Sequence, residues 1–135
     1  MNDIVITGYG IKAPGILNKA SFYNVLHDGK CTQSILKSVN EDQTDIVAGV
    51  IDEDFLEING RNYRRYPRSV RMAISAAMDA LEMSGLQNYD PNRVAVIMGT
   101  SAGAILEVEQ YSAAGLNYKN FPIQGVSIVD THTLS

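Results

Sequence analysis

Asp3-Ile4-Val5-Ile6-Thr7-Gly8-Tyr9-Gly10 is a short β-branched run closed by two glycines, the pattern of a buried strand that enters a turn. Outward from it, strand and helix signals alternate. Asn18 or Ser21 is placed to cap a helix that carries Phe22, Val25 and Leu26 at spacings of 3 and 4, with Gly29 as its stop. Residues 45–51, Asp-Ile-Val-Ala-Gly-Val-Ile, read as a second strand. From 68 to 84 apolar side chains recur at Val70, Ile74, Ala77 and Leu81, one face of a helix, and Gly85 supplies a left-handed end. After the Asp90-Pro91 turn, Val94-Ala95-Val96-Ile97-Met98 is apolar throughout, which fits a central parallel strand covered on both faces. Thr100 or Ser101 then opens a third helix through Ile105, Val108 and Tyr111 to about Gly115. The alternation predicts an α/β layer with right-handed crossovers. No internal boundary interrupts it: the polar stretch Ser38 to Thr44 reads as a connection, so residues 1–135 are expected to form a single domain.

Composition narrows the function classes. The 135 residues are 45% hydrophobic and 19% charged, as in a folded domain and unlike a disordered chain. A net charge of −4 gives no global attraction to nucleic acid or to an anionic membrane, so neither is an expected partner. One cysteine excludes an internal disulfide and fits a reducing compartment. With no signal-like leader and no membrane-length apolar run, the expected location is cytoplasmic.

Three groups of residues invite a chemical reading. Gly8-Tyr9-Gly10-Ile11-Lys12-Ala13 formally satisfies G-x-G-x-x-A, the dinucleotide fingerprint. Pro14-Gly15 interrupts the helix that must begin there, and Ser34-Ile35-Leu36-Lys37 stands where the fingerprint wants an acid. The glycines are therefore expected to shape a loop, and no cofactor is predicted. Cys31 with His27 or His132 could be taken for a nucleophile and its base. Cys31, however, lies just past a helix carboxyl terminus, the end whose dipole disfavours a thiolate. His132, in Asp130-Thr131-His132-Thr133, has no companion ligands for a metal. No catalytic or metal-binding residue is assigned in this chain. The third group is an uneven distribution of charge: Arg61, Arg64, Arg65, Arg68 and Arg71, five of the six arginines, fall within eleven residues. Spacings of 3 and 4 can set Arg61, Arg64, Arg65 and Arg68 on one helical face, with Pro67 limiting where that helix runs. Such a cluster suits an acidic protein or a phosphorylated group. It equally suits a solvated face paired with Asp52, Glu53, Asp54 and Glu57.

Taken together, Asp3 to Gly10, Arg71 to Leu86 and Arg93-Val94-Ala95-Val96-Ile97-Met98-Gly99-Thr100-Ser101-Ala102-Gly103 resemble the amino-terminal part of a β-ketoacyl-acyl-carrier-protein synthase, the condensing enzyme of the thiolase-like superfamily. The resemblance covers nearly the whole chain. It implies a thiolase-like fold, of which this chain supplies a partial first half: three strands alternating with helices, incomplete without the cysteine-bearing segment. It implies chain elongation in fatty-acid or polyketide assembly by decarboxylative condensation. The family's catalytic cysteine and histidines come later than any residue of this chain, so the chain alone is expected to be inactive. The alternative is a noncatalytic truncated paralogue, a carrier-protein-binding or assembly module. The implied partner is acyl carrier protein bearing phosphopantetheine, and by position Arg64 and Arg65, then Arg61 and Arg68, are the implied docking residues. The family is commonly acidic where Pro67 stands. Ala13-Pro14-Gly15 resembles the family's loop after its first strand, and Gly99 to Gly103 a loop that supports the core beside the active site. Uncovered apolar faces predict that the chain associates with itself, in a homo- or hetero-oligomer, or with a complementary carboxyl-terminal portion.

Overall fold

A computed structural model describes residues 3–37 and 44–100, together with 103, 105 and 109. Its contacts divide into two compact units, one drawn from residues 1–54 and 73–85, the other from 55–72 and 86–135. The chain is mixed α/β: the named elements among the described residues are helices α1 (Lys19–Asp28) and α2 (Arg68–Ser84), four short strands, and a 3₁₀ turn at Pro91–Arg93.

In the first unit, α1 begins where its cap residues place it. Asn18 accepts from the Ser21 amide at 2.9 Å, and the Ser21 hydroxyl accepts in return from the Asn18 amide at 3.1 Å, so two otherwise orphaned donors are satisfied. Gly29, at φ 61°, ends the helix by donating to the Leu26 carbonyl. Strands β1 (Ser34–Leu36) and β2 (Ile46–Ala48) then pair antiparallel, with Ser34 opposite Ala48 and Leu36 opposite Ile46. The expected strand at 45–51 is thus realised over its apolar centre. Of the connection between the two strands, residues 38–43 lie outside the described residues.

Residues 8–12 are held against α2. A Cβ on Gly8 would collide with the Ala80 carbonyl and stand 2.9 Å from the Ser84 amide, and one on Gly10 would collide with the Ala76 carbonyl. Two residues of extended chain advance about 6.7 Å, close to the ~6 Å of a four-residue step along a helix. Glycines two apart therefore meet helix positions four apart. Tyr9, of opposite parity, packs edge-on to Phe22 of α1 at 6.4 Å. The expected apolar face of α2 is only partly the one in contact: Ala77 is exposed and Leu81 is 37% exposed. Periodicity weighs hydrophobicity, whereas close backbone approach selects small residues. The Ala13-Pro14-Gly15-Ile16 turn follows, closed by two 2.8 Å hydrogen bonds between Ala13 and Ile16, with Gly15 at φ 69°, the backbone a Pro-Gly type II turn requires.

In the second unit the apolar side chains of Phe55, Ile58 and Val70 are buried. Strands β3 (Glu57–Ile58) and β4 (Arg61–Asn62) form a hairpin around Asn59-Gly60, both at positive φ. This is the Asn-Gly turn that matches the twist of paired strands. The Ser69 hydroxyl donates to the Gly103 carbonyl at 3.0 Å, and Thr100 Oγ1 accepts from the Gly103 amide, so Gly103 is tied to the first turn of α2.

Two expectations are corrected. Neither Ile4–Ile6 nor Val94–Met98 lies in a ladder; Ile4, Ile6, Val96 and Ile97 are 100%, 91%, 89% and 95% exposed. The sheets among the described residues are two antiparallel pairs in place of parallel strands joined by crossovers. A β-branched run favours extended backbone, but a ladder needs a partner, which the run itself does not specify. Of the expected third helix, Ile105 and Glu109 are helical and the remainder is outside the described residues. Among the described residues no helix is long and apolar enough to cross a membrane.

Candidate functional site

The arginine cluster is built on the hairpin and the turn that follows it. Arg61 is in β4, Arg64 and Arg65 are in the turn between β4 and α2, and Arg68 is the first residue of α2. The expected common helical face is thereby corrected: three of the four arginines precede the helix. Pro67 sets the limit, because its carbonyl accepts the first helical hydrogen bond, from the Arg71 amide at 3.0 Å, while its ring cannot follow another helical turn. Asn59-Gly60 carried the signal for the hairpin, and reading the arginine spacing as helical passed over it.

The turn is closely braced. The Tyr63 amide donates to the Leu56 carbonyl at 2.8 Å and the Tyr66 amide to the Tyr63 carbonyl at 2.9 Å. Asn62 Oδ1 accepts from the Arg64 amide at 2.9 Å, and Arg71 Nη1 donates to the Tyr66 carbonyl at 2.7 Å. The Tyr63 and Tyr66 rings lie 5.9 Å apart at 48°. Arg61, Arg64 and Arg65 are exposed, Arg68 is half-buried, and Pro67 is buried. Among the described residues no ion pair engages Arg61, Arg64 or Arg65.

The electrostatics of this end of α2 are unusual. A helix amino terminus carries partial positive charge and is ordinarily complemented by acids. The first turn of α2 contains no acid and begins with Arg68, with Arg64 and Arg65 immediately before it. Positive charge is concentrated here although the chain is acidic overall, the arrangement that attracts an anionic partner and strengthens at low salt.

Cys31 and His27 are not brought together. Cys31 is exposed in the segment after Gly29. His27 stacks on Tyr23 at 5.7 Å, and its Nδ1 lies 3.2 Å from Asp28 Oδ1. Lys30 donates to Asp28 at 2.7 Å. Hydrogen bonds from Lys30 and then His27 hold the Asp28 carboxyl below its usual range. Its folded pKa being depressed, this pairing is present at neutral pH and is lost as pH falls through that lowered value. His132 lies outside the described residues, among which no group of three or more His, Cys, Asp or Glu could hold a metal.

Sequence reasoning passed over Lys12. Its side chain is 7% exposed, and its ammonium donates to both Asp79 Oδ2 and the Leu17 carbonyl at 2.6 Å. Gly8, Gly10 and Lys12 share one parity, and all three meet α2. The alternation of side chains along an extended segment was the signal that could have found it. The cleft beside this pair, of about 440 Å³, is lined by Tyr9, Ile11, Lys19, Asp79 and Glu82 among others, with no cysteine or histidine.

The β-ketoacyl synthase N-terminal domain family matches residues 1–131, and the chain belongs to that family. It is 33% identical over 74% of its length to the tetracenomycin polyketide synthase ketoacyl synthase alpha subunit of Streptomyces glaucescens, covering 25% of that protein. It is 32% identical over 78% of its length to a Streptomyces violaceoruber protein named for granaticin polyketide β-ketoacyl synthase 1, of which it covers 26%. The chain thus spans about a quarter of the length of the curated relatives it matches. No solved structure matches it.

Proposed function

We propose that this chain is the N-terminal, carrier-protein-receiving portion of a 3-oxoacyl-acyl-carrier-protein synthase that extends a polyketide or fatty-acyl chain by decarboxylative condensation. Residues 1–135 are read as one partial domain of the thiolase-like fold, which the α/β content and the family match support. In the reaction an acyl group passes from the carrier's thioester to an enzyme cysteine. Loss of carbon dioxide from a carrier-bound malonyl unit then supplies the carbanion that attacks the acyl thioester, releasing the cysteine thiolate. The catalytic cysteine and histidines are assigned to sequence that follows Ser135 in the whole synthase. The exposed runs Ile4–Ile6 and Val94–Met98 are faces for that further sequence to cover, in keeping with relatives about three times as long.

The observation that carries the proposal is the exposed trio Arg61, Arg64 and Arg65, which makes no ion pair among the described residues and precedes a helix with no acid in its first turn. Replacing all three by glutamate is expected to weaken binding of acyl carrier protein roughly 30-fold, the sum of three exposed charge pairs at up to ~1 kcal/mol each with some loss of additivity. Wild-type affinity falls as salt rises, because the contacts are screened. Circular dichroism stays unchanged, exposed substitutions shifting stability by only about 0.5 kcal/mol each. Unaltered binding by the triple variant would remove the cluster from the mechanism.

A second expectation concerns Cys31. In a synthase containing this chain, Cys31→Ala leaves condensation at the wild-type rate, because the exposed thiol sits past a helix carboxyl terminus and has no hydrogen-bonded base among the described residues. Loss of ketoacyl product in that variant would give Cys31 a catalytic role after all.

A further inference from the structure

We infer that Asn62 and Arg71 are positioning residues, which hold the 63–66 turn in one conformation so that Arg64 and Arg65 are presented ready-made to an acidic carrier protein. The inference rests on the docking reading above and adds residues which that reading does not contain. An exposed four-residue turn ordinarily samples many backbone conformations, and two long side chains mounted on it would lose that freedom on binding. Here the freedom is already removed. Asn62 Oδ1 fixes the Arg64 amide at 2.9 Å, and the Arg71 guanidinium reaches back from the first turn of α2 to the Tyr66 carbonyl at 2.7 Å. Between them the Tyr66 amide closes on the Tyr63 carbonyl, and buried Pro67 fixes the point where the turn becomes helix. Arg71 belongs to the cluster by sequence, yet one guanidinium nitrogen is directed at the backbone of the turn. It and Arg64 therefore have different work: one braces, the other is offered to the partner.

The test measures affinity for phosphopantetheinylated acyl carrier protein over a salt series, with amide hydrogen exchange of the turn read on the same samples. Asn62→Ala removes no charge, so the slope of affinity against salt stays at the wild-type value. Affinity itself drops about 3- to 10-fold, the cost of ordering one or two side chains that had been held in advance. Exchange at the Arg64 amide accelerates, and Asn62→Ser, which restores an acceptor, recovers most of both. Arg71→Ala shows the same loss of affinity, with Arg71→Lys intermediate. Arg64→Ala, by contrast, flattens the salt slope. If Asn62→Ala speeds exchange but binds as tightly as wild type, bracing has no part in recognition and the inference fails alone. If Arg64→Glu with Arg65→Glu also binds as wild type, the docking reading fails and takes the inference with it. Should Arg71→Ala lose its circular dichroism signal, the exposed Asn62 pair decides the matter.

Discussion

Gly10→Ala is expected to cost about 3 kcal/mol of stability, the upper part of the range for forcing atoms into a packed site. The added methyl would overlap the Ala76 carbonyl, which belongs to helix backbone and cannot rotate aside. Either the segment lifts from α2 or the helix distorts. Gly8→Ala meets the Ala80 carbonyl and the Ser84 amide in the same manner. Gly99→Ala is the control: nothing lies within 4 Å of its Cβ position and its φ is not positive, so its effect is small. Urea unfolding of the whole chain followed by circular dichroism measures all three. Equal midpoints for Gly10→Ala and Gly99→Ala would mean that residues 8–12 do not rest on α2.

Asp79→Ala is expected to destabilise by about 3 kcal/mol, because it leaves the Lys12 ammonium buried without its carboxylate. Lys12 is 7% exposed and Asp79 36%, and this asymmetry predicts unequal single variants. Lys12→Met keeps an unbranched side chain of similar length and leaves a carboxylate that water can reach, at a cost of about 1 kcal/mol. The double variant then falls near Lys12→Met, since removing the carboxylate no longer strands a charge. Equal effects of the two single changes, adding fully in the double, would show that the pair is effectively solvated. The ammonium also donates to the Leu17 carbonyl at 2.6 Å, so accelerated amide exchange across the 13–17 turn is a local sign of the same loss.

The cluster and the buried pair play different parts. Lys12–Asp79 secures the glycine segment on α2 in the first unit, where a paired charge serves packing. Arg61, Arg64 and Arg65 make no ion pair among the described residues and add positive charge to a helix end that already carries it. Stability alone gives no reason for that accumulation, whereas recognition of an acidic partner does.

Local chemistry was legible in the sequence. Asn18, Ser21 and Gly29 determined both ends of α1, and the span from Arg68 to Ser84 was that of α2, because capping and helical periodicity depend on residues a turn apart. The interruption after Gly8 to Ala13 was legible too: a Pro-Gly turn intervenes and α1 begins only at Lys19. The family too could be read from the order of motifs, and the arginine concentration from composition. Tertiary structure decided what involves distant residues. The period of 3 and 4 among Arg61, Arg64, Arg65 and Arg68 fits a helix, but Asn59-Gly60 turned a hairpin there, and only Arg68 entered α2. Ile4–Ile6 and Val94–Met98 have strand composition without ladder partners, since pairing is a relation between segments and belongs to neither alone. Gly8 and Gly10 proved to be sites of contact with Ala80 and Ala76, some seventy residues onward in sequence. Lys12 found Asp79 across a similar separation. Neither pairing leaves a mark at short range, because close approach and charge burial arise only when the chain has brought both residues to one place.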